Sequence, residues 1–152
     1  MAQDLEARIA RLEAFRDICN VQGRYNHYLA TGQLADKAHE LFAMKTPGLK
    51  AEMADSGLWE GPEAVGKLFQ HLGTKYNMLG ALFVHALLTP VLEVNADATR
   101  ARGMWNSLGM NTYVANSGSL DAMWQLGKYD NTFVKEDGRW KILEFRWYVS
   151  FR

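Results

Sequence analysis

After Asn77 the chain alternates apolar and polar residues almost to its end, in four runs of strand length. Phe83–Val94 is the first, Asn95-Ala96-Asp97-Ala98 turns it, and Thr99–Asn111 returns. Met123–Lys135 and Arg139–Phe151 make the second pair, joined through Glu136-Asp137-Gly138. A two-residue period is the mark of a strand with one buried face. An acidic residue followed by glycine between two such runs is the chemistry of a tight hairpin. Val114–Leu120, with Asn116, Ser117, Gly118 and Ser119, reads as a loop. Strands this long twist and bend, and Gly103, Gly109 and Gly127 are natural bend sites.

The first half has a helical period instead. From Asp4 to about Leu29, apolar residues recur at Leu5, Ile9, Leu12, Phe15, Ile18, Cys19, Val21, Tyr25, Tyr28 and Leu29. Asp4 with Arg8 and Glu13 with Arg16 decorate the other face. Gly23 allows a bend within this helix, and Thr31-Gly32 ends it. A second helix spans Leu34 to Met44 and stops at Pro47-Gly48. Leu49–Asp55 reads as a short strand, Ser56-Gly57 as a turn, and Trp59-Glu60-Gly61-Pro62 leads into a third helix bearing Val65, Leu68, Phe69 and Leu72. Helices followed by consecutive hairpins predict an α+β fold, a cone in which a long curved antiparallel sheet wraps round N-terminal helices. Such a sheet leaves a hollow at the end the helices do not fill.

Composition narrows the function classes. The 152 residues suit one domain, and 48% apolar content supplies a core. Lys plus Arg and Asp plus Glu each total 17, and no basic patch interleaved with aromatics occurs, which argues against nucleic acid as a partner. Cys19 is the single cysteine, so no internal disulfide forms and a cytoplasmic setting is expected. The N-terminus carries charges every few residues, unlike a signal peptide. The longest apolar run, Leu79–Leu88, is interrupted by Gly80 and His85 and is too short to span a bilayer. The chain stops on Trp147-Tyr148-Val149-Ser150-Phe151-Arg152 without a polar tail. Either a partner subunit covers that end or the native chain continues, and the second is preferred.

Three stretches carry a family resemblance: GLWEGPEAVGKLF (Gly57–Phe69), FVHALLTPVLEVNADATRARGMW (Phe83–Trp105) and GKYDNTFVKEDGRWKI (Gly127–Ile142). With the element order, they make the chain resemble the nuclear transport factor 2-like superfamily. Within it the chain is most similar to the SnoaL-like branch, which contains scytalone dehydratase and bile-acid dehydratases. The resemblance implies a catalytic histidine at His85. The aspartate those enzymes carry near the end of the first helix falls at about Ala30, where no carboxylate stands. A second histidine falls near Asn131, and an arginine of the last strand corresponds to Arg146.

Read from the residues, His85 shares a strand face with Phe83 and Leu87, and burial favours its neutral, proton-accepting form. The alternative is a core histidine with satisfied hydrogen bonds. Alternation puts Tyr129, Asn131 and Phe133 on one face, and Trp140, Ile142, Glu144, Arg146 and Tyr148 on another. Arg146 either clamps a substrate carboxylate or enolate or pairs with Glu144 on the surface. Tyr25 or Tyr28 is a candidate pocket hydroxyl, and His27 a second proton carrier or a helix-surface residue. Trp59, Trp105, Phe83 and Tyr129 are candidate aromatic contacts. His39 and His71 read as surface and Cys19 as a core thiol. No metal-ligand spacing is evident. Together these give a cofactor-independent lyase or isomerase acting on a small hydrophobic, aromatic or polycyclic molecule. The alternative is a non-catalytic ligand-binding or subunit-interaction domain. A homo-oligomer, dimer or trimer, is expected, with Phe145, Trp147, Val149 and Phe151 forming the apolar face.

Overall fold

The alternating half folds into a sheet whose strand pairings explain which side chains face inward. The computed structural model describes residues 2–76, 82–114 and 118–151. Helices α1 (Ala2–Ala30) and α2 (Leu34–Leu41) precede strands β1 (Lys50–Met53) and β2 (Gly57–Glu60). Helix α3 (Gly61–Tyr76) follows, then β3 (Phe83–Val94), β4 (Arg100–Val114), β5 (Leu120–Glu136) and β6 (Arg139–Phe151). The six strands form one open, curved sheet in the order β2-β1-β6-β5-β4-β3. Of the expected features, Asn116 and Ser117, the Asp4 side chain and Arg152 lie outside the described residues.

The α+β architecture expected from the pattern is present, with differences of detail. β1 runs parallel to β6, so the sheet is mixed. Residues Gly57–Glu60 form a strand paired with β1, where a simple lead-in to α3 was expected. β4 and β5 run through Val114 and from Leu120, leaving a shorter connection than expected. Asp137 and Gly138, with φ of 51° and 74°, both adopt the left-handed conformation that a two-residue hairpin turn demands. α1 continues through Gly23 without a break. Arg16 bonds Asp17, where a pair with Glu13 was expected. Burial on α1 begins at Ala14, and Leu5, Ile9, Leu12 and Phe15 are exposed.

Two bulges in β6 decide the site. Phe133 pairs with Ile142 but Thr132 with Glu144, so Leu143 is an extra residue in the strand. An extra residue reverses the inside–outside assignment beyond it. Trp140 and Ile142 therefore face inward, and so do Phe145 and Trp147, while Glu144, Arg146 and Tyr148 turn out. The expected shared face from Trp140 to Tyr148 is thus split in two. A second extra residue, Ser150, lies between the pairs Gly127–Val149 and Leu126–Phe151. On β3 a third irregularity falls between Leu88 and Val91, holding Thr89 at φ 47° and Pro90 where no ladder donor is needed.

The core between helices and sheet is aromatic. Tyr25 lies 4.8 Å from Phe145 and 6.0 Å from Tyr129, centroid to centroid, and Phe42 lies 4.5 Å from Phe69. Beside it runs a chain of buried amides. The Arg146 backbone N–H donates to Asn131 Oδ1 at 2.9 Å, and Asn131 Nδ2 donates to Gln22 Oε1 at 2.7 Å. Gln22 Nε2 then donates to Asn26 Oδ1 at 3.2 Å, and Asn26 Nδ2 to the His85 carbonyl at 2.7 Å. Asn131 is thus a structural link, not the catalytic group expected from its strand face. Asn131→Leu would strand the Arg146 N–H and Gln22 Oε1 in the interior and is expected to cost about 2–4 kcal/mol. Urea unfolding of the two proteins measures it, and a cost below about 0.5 kcal/mol would remove the structural role.

Candidate active site around His85

His85 stands on β3 and is 6% exposed. Its strand neighbours bring it into contact with two other strands. Gly109 lies directly opposite on β4, and Gln125 directly opposite Gly109 on β5. Glycine lets the Gln125 side chain cross here, since a Cβ on Gly109 would sit 2.5 Å from Gln125 Cγ. Gln125 Nε2 consequently reaches His85 Nε2 at 2.7 Å, and Asn111 Nδ2 approaches the same nitrogen at 3.4 Å. Tyr129 Oη meets Nδ1 at 2.8 Å. Both amide nitrogens are directed at Nε2, an arrangement that suits the tautomer with its proton on Nδ1, facing the phenol. The ring stacks on Trp147 at 5.2 Å and lies 5.1 Å from Phe83.

No charged partner offsets this burial among the groups hydrogen-bonded to the ring. Desolvation therefore holds the imidazole at about 4, below its ordinary 6.5. Tyr129 is pushed well above the usual phenol range by burial, and the nearby Ser107 and Asn26 side chains offset only part of that. Both groups are neutral at pH 7. The hollow beside them is lined by Tyr25, Phe83, Tyr113, Tyr129 and Trp147, with Met53, Asp55 and Ser56 among its other residues, and encloses about 20 Å³. That volume holds one water molecule. A ring-bearing guest enters only when side chains are displaced.

Of the residues expected at the site, His85, Phe83, Tyr25 and Tyr129 line the hollow. The others do not converge there. Arg146 faces outward, its guanidinium 3.5 Å from Glu52 and 3.3 Å from Glu144, because of the Leu143 bulge. Tyr28 bonds Glu40 at 3.0 Å and has Lys37 over its ring. His27 is exposed on α1. Trp59 is on β2, its indole bonded to the Ser56 carbonyl. Trp105 is buried against Phe133, over Gly103.

Sequence reading missed Asn26, Gln125, Asn111, Ser107 and the inward placement of Trp147. The α1 side chain that reaches the His85 segment is that of Asn26, one turn before Ala30, and it is an amide. The available signals were polar residues at buried phase: Gln22 and Asn26 four apart on the apolar side of α1, and Ser107, Asn111 and Gln125 in inward positions of β4 and β5. Among the described residues no group of three His, Cys, Asp or Glu side chains is placed to hold a metal ion, and no helix is long and apolar enough to cross a membrane.

The family model for the SnoaL-like domain matches residues 10–146. No curated protein matches the chain in sequence. Among solved structures, a candidate scytalone dehydratase from Novosphingobium aromaticivorans superposes with a TM-score of 0.78 at 19% identity, covering 95% of this chain and 89% of that one. A type 2 hexachlorocyclohexane dehydrochlorinase gives 0.73 at 18% identity over 95% and 90%. An NTF2-like candidate dehydratase from Streptomyces avermitilis gives 0.75 at 10% identity over 92% and 99%. At such identities the likeness is one of fold.

The depressed imidazole has a measurable consequence. Between about pH 6.5 and pH 4 the unfolded chain carries a proton on His85 that the folded protein refuses, so stability falls as the pH is lowered through that window. The contribution is complete above pH 6.5 and gone below pH 4, a loss of roughly 3 kcal/mol at about 1.4 kcal/mol per unit. Urea unfolding of wild type and His85→Phe across this range isolates it, because the carboxylates titrate in both. Parallel pH profiles would overturn the assignment.

Proposed function

Because the chain belongs to the SnoaL-like domain family, we propose that it is a small-molecule-processing enzyme in which neutral His85 moves a proton, without a cofactor, on a hydrophobic aromatic substrate. The observation that carries the reading is a buried imidazole with no carboxylate on either nitrogen, set in the wall of an aromatic-lined hollow. The dehydratases and the dehydrochlorinase among its structural neighbours support elimination chemistry.

For a β-hydroxy ketone the steps balance as follows. Nε2 takes the proton from the carbon next to the carbonyl, giving an enolate. The enolate expels the hydroxyl from the adjacent carbon, and the imidazolium returns the proton to it, so that water and a carbon–carbon double bond result. Nε2 already accepts from Gln125, so this amide swings aside for the guest. Tyr129 holds the ring through Nδ1. Arg146, turned to Glu52 and Glu144, takes no part.

A second reading, a non-catalytic ligand-binding domain, is favoured by two specific observations. The hollow of about 20 Å³ is closed to a ring, and the α1 group reaching the His85 segment is an amide that carries no charge. Incubation in D2O with a panel of β-hydroxy aryl ketones separates the two readings. The enzyme reading expects deuterium uptake next to the carbonyl, reduced on the order of 10²–10⁴-fold in His85→Gln and unchanged in Arg146→Ala. Binding of panel members without exchange in the wild type would overturn it in favour of the second.

Self-association belongs to the same proposal, but on a different face from the one the sequence suggested. Phe145 and Trp147 are buried inside the fold. The outward apolar residues are Trp124 opposite Met110, and Leu126 opposite both Leu108 and Phe151. Trp124→Lys is expected to shift the protein to monomer in sedimentation equilibrium. A wild type that is already monomeric rules the association out.

A further inference from the structure

Among the described residues, four buried side-chain atoms lack a hydrogen-bond partner of good geometry: Ser107 Oγ, Asn111 Oδ1, Gln125 Oε1 and Trp147 Nε1. Their residues are 1%, 2%, 1% and 5% exposed. They are not scattered: Trp147 lines the hollow, while Ser107, Asn111 and Gln125 do not line it but lie next to its wall residues His85 and Tyr129. Asn111 and Gln125 each spend their nitrogen on His85 Nε2 and leave the oxygen unpaired. The Trp147 indole stacks on the same imidazole, and Ser107 lies beside the Tyr129 phenol that holds it. Two of these side chains lie directly over glycines, in space that a Cβ would take. A Cβ on Gly109 would fall 2.9 Å from Gln125 Nε2, and one on Gly127 would fall 3.0 Å from Trp147 Nε1. Natural interiors pair the great majority of such atoms, so four round one ring call for an explanation.

We propose that these four residues form a polar seat for a neutral hydroxyl group of an aromatic ligand, placed against His85. The inference rests on the reading of the hollow as a binding site and adds the chemistry of what it takes. The indole N–H is a donor, the two amide oxygens are acceptors, and the Ser107 hydroxyl is either, which complements a group that both donates and accepts. No lysine, arginine or second histidine lines the hollow among the described residues, and Asp55 is its one charged lining residue. A carboxylate or phosphate would therefore lose its hydration without gaining a cation. Aromatic walls at Tyr25, Phe83, Tyr113, Tyr129 and Trp147 supply the complement to a ring.

Three probes of one shape test this: β-naphthol, β-methylnaphthalene and β-naphthoate, titrated into the protein while its amide and indole N–H resonances are followed by NMR. The Trp147 indole signal is identified by its loss in Trp147→Phe. The seat predicts that β-naphthol binds more tightly than β-methylnaphthalene, shifts the Trp147 indole signal, and outcompetes β-naphthoate at least 10-fold. Ser107→Ala should weaken β-naphthol about 5- to 10-fold, the value of one or two hydrogen bonds, and leave β-methylnaphthalene unchanged, while Trp147→Phe, which also alters the aromatic wall, should weaken β-naphthol about 5- to 10-fold more than it weakens β-methylnaphthalene. Equal affinities for β-naphthol and β-methylnaphthalene, in wild type and variants alike, would mean that these atoms are served by water and would overturn the seat while the pocket stands. Binding by none of the three would remove both. Ser107 lies beside the Tyr129 phenol, so unchanged urea stability of Ser107→Ala is the control that a lost affinity is local.

Discussion

The structure depends on one run of buried side-chain amides that ties the long helix to the sheet. It begins at the backbone of β6, passes through Asn131 on β5, and crosses to α1 at Gln22 and Asn26. It ends on the carbonyl of His85 at the outer edge of β3. Amides suit this path because each accepts at one end and donates at the other, so the chain continues without a charge. β3 is the last strand of its sheet and has no strand beyond it. Asn26 supplies a donor there, which satisfies an edge carbonyl and fixes the height of His85 above the core.

That link bears on the missing carboxylate. The family resemblance implies an aspartate near the end of the first helix, and the side chain that reaches the His85 segment is that of Asn26. An ionised aspartate there has no proton to give to the His85 carbonyl, and it would put an unpaired charge among Gln22, Asn26 and Asn131, all 9% exposed or less. The amide and the neutral histidine are consistent with each other. A nearby carboxylate would favour the protonated imidazole, whereas an uncharged amide leaves desolvation as the cause of its shift.

The sequence displayed the periods and the turns but not the places where the period breaks. Helices, strand order along the chain and the Asp137-Gly138 turn were legible because each rests on residues close in sequence. Arg146 was misplaced because Leu143 adds one residue to β6, and nothing in the local composition distinguishes a bulged strand from a straight one. The same slip hid Trp147, which stacks on His85, whereas Asn131 does face inward as its phase on β5 implied and spends its amide on Gln22 and the Arg146 backbone. Gly103, Gly109 and Gly127 were read as bends, yet each has a neighbour's side chain lying over its missing Cβ. The inward placement of His85, Phe83 and Tyr129 was legible, since β3 and β5 keep strict alternation through them.

In the proton-carrying role proposed for it, His85 would be governed more by access than by basicity. With its conjugate acid near 4, His85 is a weak base, but it is present almost wholly in the accepting form at neutral pH. What limits it is that Nδ1 is held by Tyr129 and Nε2 by Gln125, at 2.8 Å and 2.7 Å. A guest must replace the Gln125 contact with one of its own, and the displaced amide then needs a partner. Unpaired oxygens and an unpaired indole N–H around the same ring reduce that difficulty, because a hydroxyl-bearing guest can satisfy groups that the closed protein leaves unsatisfied. The closed hollow and the unpaired atoms are therefore two sides of one balance. Tight packing makes entry costly for a plain hydrocarbon ring, and the polar atoms return part of that cost only to a ligand able to bond them. In the proposed seat, selectivity for a neutral oxygen would follow from this balance, with no charged group hydrogen-bonded to the ring.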